Sequence, residues 1–111
     1  MLLKYSSNII HDVEPSFLIL QNFMYYTYIL WSSKSKIFYF GYTDDLKNRF
    51  TEHNNGLVKS TKTHRPWKIV FYATFEGKKL AKDFERYLKT GSGKAFAYKR
   101  FLNSEVLKKI S

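Results

Sequence analysis

A chain of 111 residues, 44% of them hydrophobic and 19% aromatic, is long enough to form one packed domain and too apolar to be disordered. It has no cysteine, which excludes a disulfide scaffold, a thiolate metal site and a cysteine nucleophile, and no apolar run reaches the roughly 18 residues of a membrane span. Its formal net charge of +10 fits a polyanionic partner, although a solvated basic surface would give the same value.

The excess of basic charge lies entirely after residue 23. In residues 1–23, one lysine stands against two acidic residues. The polar run at residues 11–15 interrupts the apolar core that a secretion signal needs, which indicates a cytoplasmic protein. We expect residues 1–23 to be an N-terminal extension that is poorly ordered or only loosely docked.

The first regular elements are two strands joined by a short turn. Residues 25–31 and residues 36–42 are rich in aromatic and β-branched side chains, which favour strands. The polar residues 32–35 lie between them. Two such runs separated by a short polar turn predict an antiparallel hairpin.

A helix is predicted directly after the hairpin. Thr43 is placed to cap its N-terminus, and the two aspartates that follow suit the positive end of a helix. Leu46 and Phe50 repeat at helical spacing through residue 53. Gly56 is placed to end this helix, because glycine readily adopts the left-handed conformation found there.

The second half of the chain predicts one more strand and two more helices. A basic loop at residues 59–66 leads into a strand at residues 67–75. A helix at residues 78–89 follows, with an apolar stripe on one side. Gly91 and Gly93 are expected to close it.

A final helix is predicted at residues 94–102, with a helical tail at residues 104–111. The predicted order is therefore ββαβαα, which is an α+β domain.

Two tyrosines of the hairpin are candidates for catalysis. Tyr28 and Tyr39 fall on adjacent strands, so they can lie side by side. A tyrosine hydroxyl can orient a water molecule or accept its proton, although most tyrosines simply pack against strands. Gly41 at the end of the second strand permits close approach of a backbone or a phosphate, or it is an ordinary strand end.

Three further side chains on the predicted helices have suitable chemistry. Arg49 and His53 are four residues apart and share a helix face. The planar guanidinium suits a phosphate, whereas a solvated basic face is the plain alternative. Glu85 borders the apolar stripe of the second helix. Its carboxylate can hold one divalent ion or pair with the basic residues around it.

Taken together, these stretches resemble a known nuclease domain. Residues 26–30, 38–50 and 52–54 look like the front half of a GIY-YIG domain. The loop at 59–67 and the helix at 81–89 are similar to the small single-domain bacterial branch of that family, which is like the N-terminal endonuclease domain of UvrC. The first motif reads Tyr-Thr-Tyr and the second Tyr-Phe-Gly, so both motifs keep their tyrosines.

The resemblance implies a fold and an activity. The fold is a three-stranded antiparallel sheet flanked by helices, over residues 24–103. The activity is metal-dependent hydrolysis of phosphodiester bonds in DNA, in a repair or recombination role. The implied cofactor is a single Mg²⁺ or Mn²⁺ ion bound by Glu85, with no small-molecule cofactor.

The resemblance also implies residue roles. Tyr28 and Tyr39 match the tyrosines of the two motifs, and Gly41 matches the glycine of the second. Arg49 is similar to the arginine that contacts the scissile phosphate. His53 matches a position that is tyrosine or histidine in the family. With Glu85, these side chains form the expected catalytic set.

Two stretches without acidic residues are expected to hold the phosphate backbone without reading bases. They cover residues 59–68 and 86–100. Most of the candidate nucleic-acid-binding residues lie in these stretches, and Gly41 is added because it permits close approach of a phosphate. The full set is Gly41, Lys59, Lys62, Arg65, Lys68, Arg86, Lys89 and Lys94.

The expected partner is nucleic acid, with DNA favoured, and not a membrane; the expected state is a monomer or weak dimer. Two alternatives stay open. One is a nucleic-acid-binding module that keeps the fold without catalysis. The other is a protein-interaction domain that uses its aromatic sheet.

Overall fold

The computed structural model describes residues 2–4, 24–103 and 107–108. In chain order, its elements are β1 (Leu2–Lys4), β2 (Tyr25–Ser32), β3 (Ile37–Thr43), α1 (Leu46–Asn54), a 3₁₀ turn (Lys62–His64), β4 (Trp67–Phe75), α2 (Lys78–Leu88) and α3 (Gly91–Arg100). From β2 onward this is the predicted ββαβαα order. The remainder of the expected N-terminal extension (residue 1 and residues 5–23) and most of the expected C-terminal helical tail lie outside the described residues.

The predicted three-stranded antiparallel sheet is confirmed, with β2 between β3 and β4. The three-residue β1, which the sequence did not predict, pairs with the outer side of β4. β3 therefore lies at one edge of the described sheet. In the pairing of β2 with β3, Tyr28 lies opposite Gly41 and Leu30 opposite Tyr39.

Two hydrophobic clusters cover the two faces of the sheet, because alternate residues of a strand point to opposite sides. Ile29 of β2 belongs to the cluster beneath α2 and α3, with Leu88 and Ala97 from those helices. Tyr28 of β2 belongs to the cluster beneath α1, with Leu46 from that helix. The domain therefore has three layers. None of the described helices is long and apolar enough to span a membrane.

The N-terminal cap of α1 differs from the prediction. Asp45, not Thr43, is the capping residue, and its side chain accepts the Asn48 backbone N–H at 3.1 Å. The Thr43 hydroxyl instead accepts the Asp45 backbone N–H at 3.1 Å. The prediction was wrong by two residues because β3 continues through Thr43 before the helix begins.

Gly56 ends α1 as predicted, in a left-handed conformation with φ of +77°. Its backbone N–H donates to the carbonyl of His53 at 3.3 Å, and the N–H of Leu57 donates to that of Glu52 at 3.0 Å. This pair of bonds is the Schellman arrangement, which satisfies carbonyls at the end of a helix. The loop that follows is thereby directed back toward the sheet.

The prediction that Gly91 and Gly93 close α2 was wrong. Both residues lie in the first turn of α3. Thr90 caps that helix, and its hydroxyl accepts the Gly93 backbone N–H at 3.0 Å. A Cβ atom on Gly93 would lie 1.8 Å from the Tyr87 carbonyl oxygen. Glycine is therefore required here because the backbones of α2 and α3 touch.

This contact can be tested with a matched pair of substitutions. Gly93→Ala should destabilise the fold by about 2–3 kcal/mol, because a clash with backbone cannot be relieved by a rotamer change. Gly91→Ala should change stability by less than about 1 kcal/mol, since nothing lies within 4 Å of its Cβ and alanine favours a helix. Urea unfolding followed by circular dichroism measures both. Equal effects of the two substitutions would contradict the close contact.

Candidate active site

Three aromatic side chains from three elements meet on the face of the sheet that α1 covers. Tyr28 of β2, Tyr39 of β3 and His53 of α1 contribute the rings. The centroid of the His53 ring lies 4.9 Å from that of Tyr39 and 5.8 Å from that of Tyr28. The two tyrosine rings lie 6.3 Å apart, diagonally across the hairpin. The predicted proximity of these candidates therefore holds in the fold.

The Tyr28 ring lies directly over Gly41. A Cβ atom on Gly41 would come within 2.6 Å of both Cζ and the hydroxyl oxygen of Tyr28, and within 3.0 Å of the Tyr39 ring. Any larger residue would displace the Tyr28 hydroxyl. The close approach predicted at Gly41 is thus made by a side chain of the protein itself.

A chain of buried hydrogen bonds runs through the His53 imidazole. Nε2 lies 2.8 Å from the Tyr28 hydroxyl and Nδ1 lies 2.7 Å from the Thr61 hydroxyl. The Thr61 hydroxyl donates its own proton to the Val58 carbonyl at 3.4 Å. It therefore accepts from Nδ1–H of His53. This leaves Nε2 as the acceptor of the Tyr28 O–H.

Both ends of the Tyr28–His53 pair are neutral at neutral pH. Burial lowers the pKa of His53 to about 4, and the positive charge of Arg49 lowers it further in the same direction. Burial raises the pKa of Tyr28 well above its usual value, and Tyr39 adds to this, while the Arg49 guanidinium opposes it. The phenol therefore keeps its proton and directs it at a neutral imidazole.

Arg49 lies at the more exposed side of this group. Its side chain is 36% exposed, and its Nη1 lies 3.3 Å from Oε1 of Glu52. Burial raises the pKa of Tyr28, and a side-chain hydrogen bond from the Arg49 guanidinium acts in the opposite direction. A partly exposed guanidinium beside a buried phenol is suitably placed to contact an incoming anion.

Glu85 is carried by α2, the helix that packs against the other face of the sheet. Its side chain is 16% exposed, and its Oε1 lies 3.0 Å from Nζ of Lys89. Its negative charge nevertheless raises the pKa of Tyr28, so the carboxylate lies within electrostatic reach of that hydroxyl. The structural ion pair that the sequence allowed is thus present.

Metal ligation can rest on this one carboxylate. In the part of the chain that the structure describes, no three histidine, aspartate or glutamate side chains form a cluster that could hold a metal ion. Mg²⁺ often takes only one or two protein carboxylates and completes its shell with water and phosphate oxygens. Glu85 fits such a site, provided that Lys89 moves away from Oε1.

The predicted nucleic-acid-binding residues lie on several different elements. Lys59, Lys62 and Arg65 lie on the loop between α1 and β4, which contacts His53 through Thr61. The others beyond Gly41 lie on β4 or on the two helices packed against the opposite face, and they are Lys68, Arg86, Lys89 and Lys94. The loop residues are the ones next to the candidate site.

Sequence reasoning missed Thr61. It is fully buried and holds Nδ1 of His53, and its backbone carbonyl accepts the indole N–H of Trp67 at 2.9 Å. The stretch around it appears only as a basic loop in the sequence. A threonine in such a loop carries no periodic signal, so only the fold brings it to the imidazole.

The buried imidazole should make stability depend on pH. The folded pKa of His53, about 4, is below its usual 6.5. The neutral form is therefore favoured by folding, and this contribution is complete above pH 6.5 and is lost as the pH falls toward 4. The loss should reach about 3 kcal/mol. Urea unfolding at several pH values measures it.

The comparison for that experiment uses two histidine variants. His53→Gln should remove this part of the pH dependence, whereas His64→Gln should keep it, because it leaves the buried His53 imidazole in place. If the wild-type protein and the His53→Gln variant lose stability in parallel between pH 6.5 and 4, the conclusion that the buried imidazole is neutral is wrong.

The sequence matches known proteins over most of its length. The GIY-YIG catalytic domain matches residues 24–99. A UPF0213 protein of Clostridium perfringens is 40% identical over 67 residues, which cover 60% of this chain and 71% of that protein. The UPF0213 protein YsiG of Lactococcus lactis is 42% identical over 66 residues, with 59% and 62% covered. The chain thus spans less than two thirds of the second relative.

A solved structure is also similar. The solution NMR structure of a UPF0213 protein from Bacillus halodurans is 28% identical, with a TM-score of 0.47, over 79% of this chain and 97% of that one. The name UPF0213 does not specify a function. The domain match covers β2 to α3 and includes every element that contributes to the candidate site. The chain therefore belongs to the GIY-YIG family, a family of the nuclease type.

Proposed function

We propose that this protein is a metal-dependent endonuclease that hydrolyses phosphodiester bonds in DNA. The observation that carries the proposal is the buried chain from Tyr28 through His53 to Thr61, with Arg49 beside its phenol. A neutral imidazole that accepts from a phenol can take a proton relayed through that phenol from water. Membership of a nuclease-type family supports the same chemistry.

In this proposal, Tyr28 is the group that contacts the attacking water. As the water oxygen attacks phosphorus, one water proton passes to the Tyr28 oxygen and the phenol proton passes to Nε2 of His53. The bond from phosphorus to the leaving oxygen then breaks, that oxygen takes a proton from solvent, and the imidazolium returns its proton to solvent. The low pKa of free His53 opposes the transfer to Nε2, but a bound phosphate would favour the charged imidazolium.

The charged residues have separate roles in the proposal. Arg49 contacts a non-bridging phosphate oxygen through its planar guanidinium. Glu85 would hold a single Mg²⁺ or Mn²⁺ ion. When bound, such an ion offsets the negative charge that develops on the phosphate and the leaving oxygen. Tyr39, which packs against His53, would restrict the orientation of the imidazole.

The natural substrate in this proposal is branched, flapped or damaged DNA, in a repair or recombination role. A non-catalytic nucleic-acid-binding module is the second candidate. The observation that favours it is the ion pair of Glu85 with Lys89, which occupies the carboxylate that a metal needs. This alternative gives salt-sensitive binding without metal-dependent cutting.

Removal of the Glu85 charge separates the two candidates. Glu85→Gln should slow cleavage by about 100-fold to 1000-fold, because a metal-bound site stabilises charge in the transition state. DNA binding should change far less. The measurement uses labelled branched, flapped and linear DNA with Mg²⁺ or Mn²⁺. Asp83→Asn is the control. Asp83 is an acidic residue of the same helix, and it pairs with Lys79 at the surface.

Two results would contradict the nuclease proposal. One is a wild-type protein that binds these DNAs but cuts none of them with either metal. The other is a Glu85→Gln protein that cuts as fast as the Asp83→Asn control.

The role of Tyr28 can be tested by removing one oxygen atom. Tyr28→Phe should lower the cleavage rate by at least about 100-fold, because the water loses its proton acceptor. Tyr26→Phe is the control, since Tyr26 is buried two residues away on the same face of β2. Single-turnover cleavage measures both. Similar rates for the two variants would exclude Tyr28 as the group that contacts water.

A further inference from the structure

We infer that a groove beside the candidate site is a second binding site for a phosphate of the nucleic-acid backbone, formed by Lys34, Lys62 and Arg65. The inference rests on the proposed function and adds a place where the substrate is held away from the bond that is cut. Lys34 lies in the β2–β3 turn, outside both basic stretches of the sequence.

The groove has a volume of about 520 Å³ and lies between two loops. Three of its lining residues are cationic and none is acidic, and the full set is Lys34, Asn54, Lys62, Thr63, Arg65 and Pro66. Asn54 follows His53 directly at the end of α1, and Thr63 lies two residues after Thr61. The groove is therefore next to the Tyr28–His53–Thr61 chain.

Hydrogen bonds tie the two loops together. The Ser32 hydroxyl donates to the His64 carbonyl at 2.7 Å, and the Ser35 hydroxyl lies 2.7 Å from Nδ1 of the His64 ring. Across the groove, Nζ of Lys34 donates to the Thr63 carbonyl at 3.2 Å. These contacts join the two loops and hold the Lys34 ammonium beside the Thr63 carbonyl in the absence of a ligand. Such preorganisation lowers the entropy that binding must overcome.

Arg65 is also held in place. Its Nε donates to the Lys62 carbonyl at 2.8 Å, which leaves both terminal nitrogens for another acceptor. Its guanidinium lies against Gly56, where a Cβ atom would come within 2.6 Å of Nη1. The glycine that ends α1 thus also makes room for this side chain. A guanidinium held through its Nε has terminal N–H groups that suit a phosphate.

The three cations of the groove differ from others on the surface. Arg49, Lys79 and Lys89 each pair with a carboxylate of their own helix. In the described chain, no carboxylate lies within 4.0 Å of the charged nitrogens of the groove residues. Three unpaired like charges around one groove attract an anion.

The geometry favours a phosphodiester backbone as that anion. A nucleic-acid strand carries a phosphate at every nucleotide. When one phosphate lies at Arg49, the groove can hold another phosphate of the same strand. Because this second contact is the same before and during the reaction, it should contribute to binding rather than to the chemical step.

The test measures DNA binding in a series of salt concentrations. Fluorescence anisotropy with labelled single-stranded and duplex DNA compares the wild-type protein with a Lys34→Ala/Arg65→Ala double variant. The double variant should bind about tenfold more weakly at moderate salt. The slope of log Kd against log salt should fall by about 1.4–1.8, since each lost phosphate contact removes about 0.7–0.9.

A Lys78→Ala/Lys79→Ala double variant is the control, because it also removes two positive charges. Both lysines lie at the start of α2 and away from the groove. The control should keep a slope close to that of the wild-type protein. If both double variants lose the same slope, or if neither does, the groove is not a phosphate site. Circular dichroism of each variant excludes a loss of fold.

Cleavage is measured separately on the same DNA. In the groove variant, KM should rise while kcat stays the same. If the wild-type protein cuts DNA and the groove variant has the same Kd, salt slope and KM as the wild-type protein, this inference is overturned. The nuclease proposal is then intact. If the salt slopes of the wild-type protein and the groove variant differ as predicted but the wild-type protein does not cut DNA, the groove is supported and the nuclease proposal is overturned.

Discussion

The buried imidazole of His53 joins three parts of the fold that are distant in the chain. Its two nitrogens contact Tyr28 on β2 and Thr61 in the loop before β4, while its backbone belongs to α1. A buried polar ring without partners costs about 1–3 kcal/mol, so both contacts must form when the domain folds. The same two contacts set the tautomer that makes Nε2 an acceptor. Stability and proposed chemistry thus depend on one side chain.

Three glycines make the close contacts on which this site depends. Gly41 admits the Tyr28 ring, Gly56 admits the Arg65 guanidinium, and Gly93 lets the backbones of α2 and α3 touch. The last contact does not involve Tyr28 or Tyr39, but it packs α3 against α2, the helix that carries Glu85. The shape of the candidate site is therefore set partly by positions where a side chain is missing.

The net charge of +10 is not spread evenly over the surface. On the helices, part of the basic charge is balanced locally by the carboxylates of Glu52, Asp83 and Glu85. The groove formed by Lys34, Lys62 and Arg65 has no such balance. The strongest attraction for a polyanion near the candidate site is therefore expected on the loop side of the molecule, where His53 and Arg49 also lie.

The sequence by itself determined the strands, the approximate helices and the turn at Gly56, because these depend on local periodicity and on the conformations open to a few residues. It also placed Arg49 and His53 on one helix face. It did not determine which residue satisfies Nδ1 of His53, or that Lys34 faces Arg65 across a groove. It misread Gly93 as a helix end, because glycine is used both to end helices and to let backbones touch. The contacts of His53 and of Lys34 join different elements of the fold, and only the packing of sheet, loop and helices brings them together.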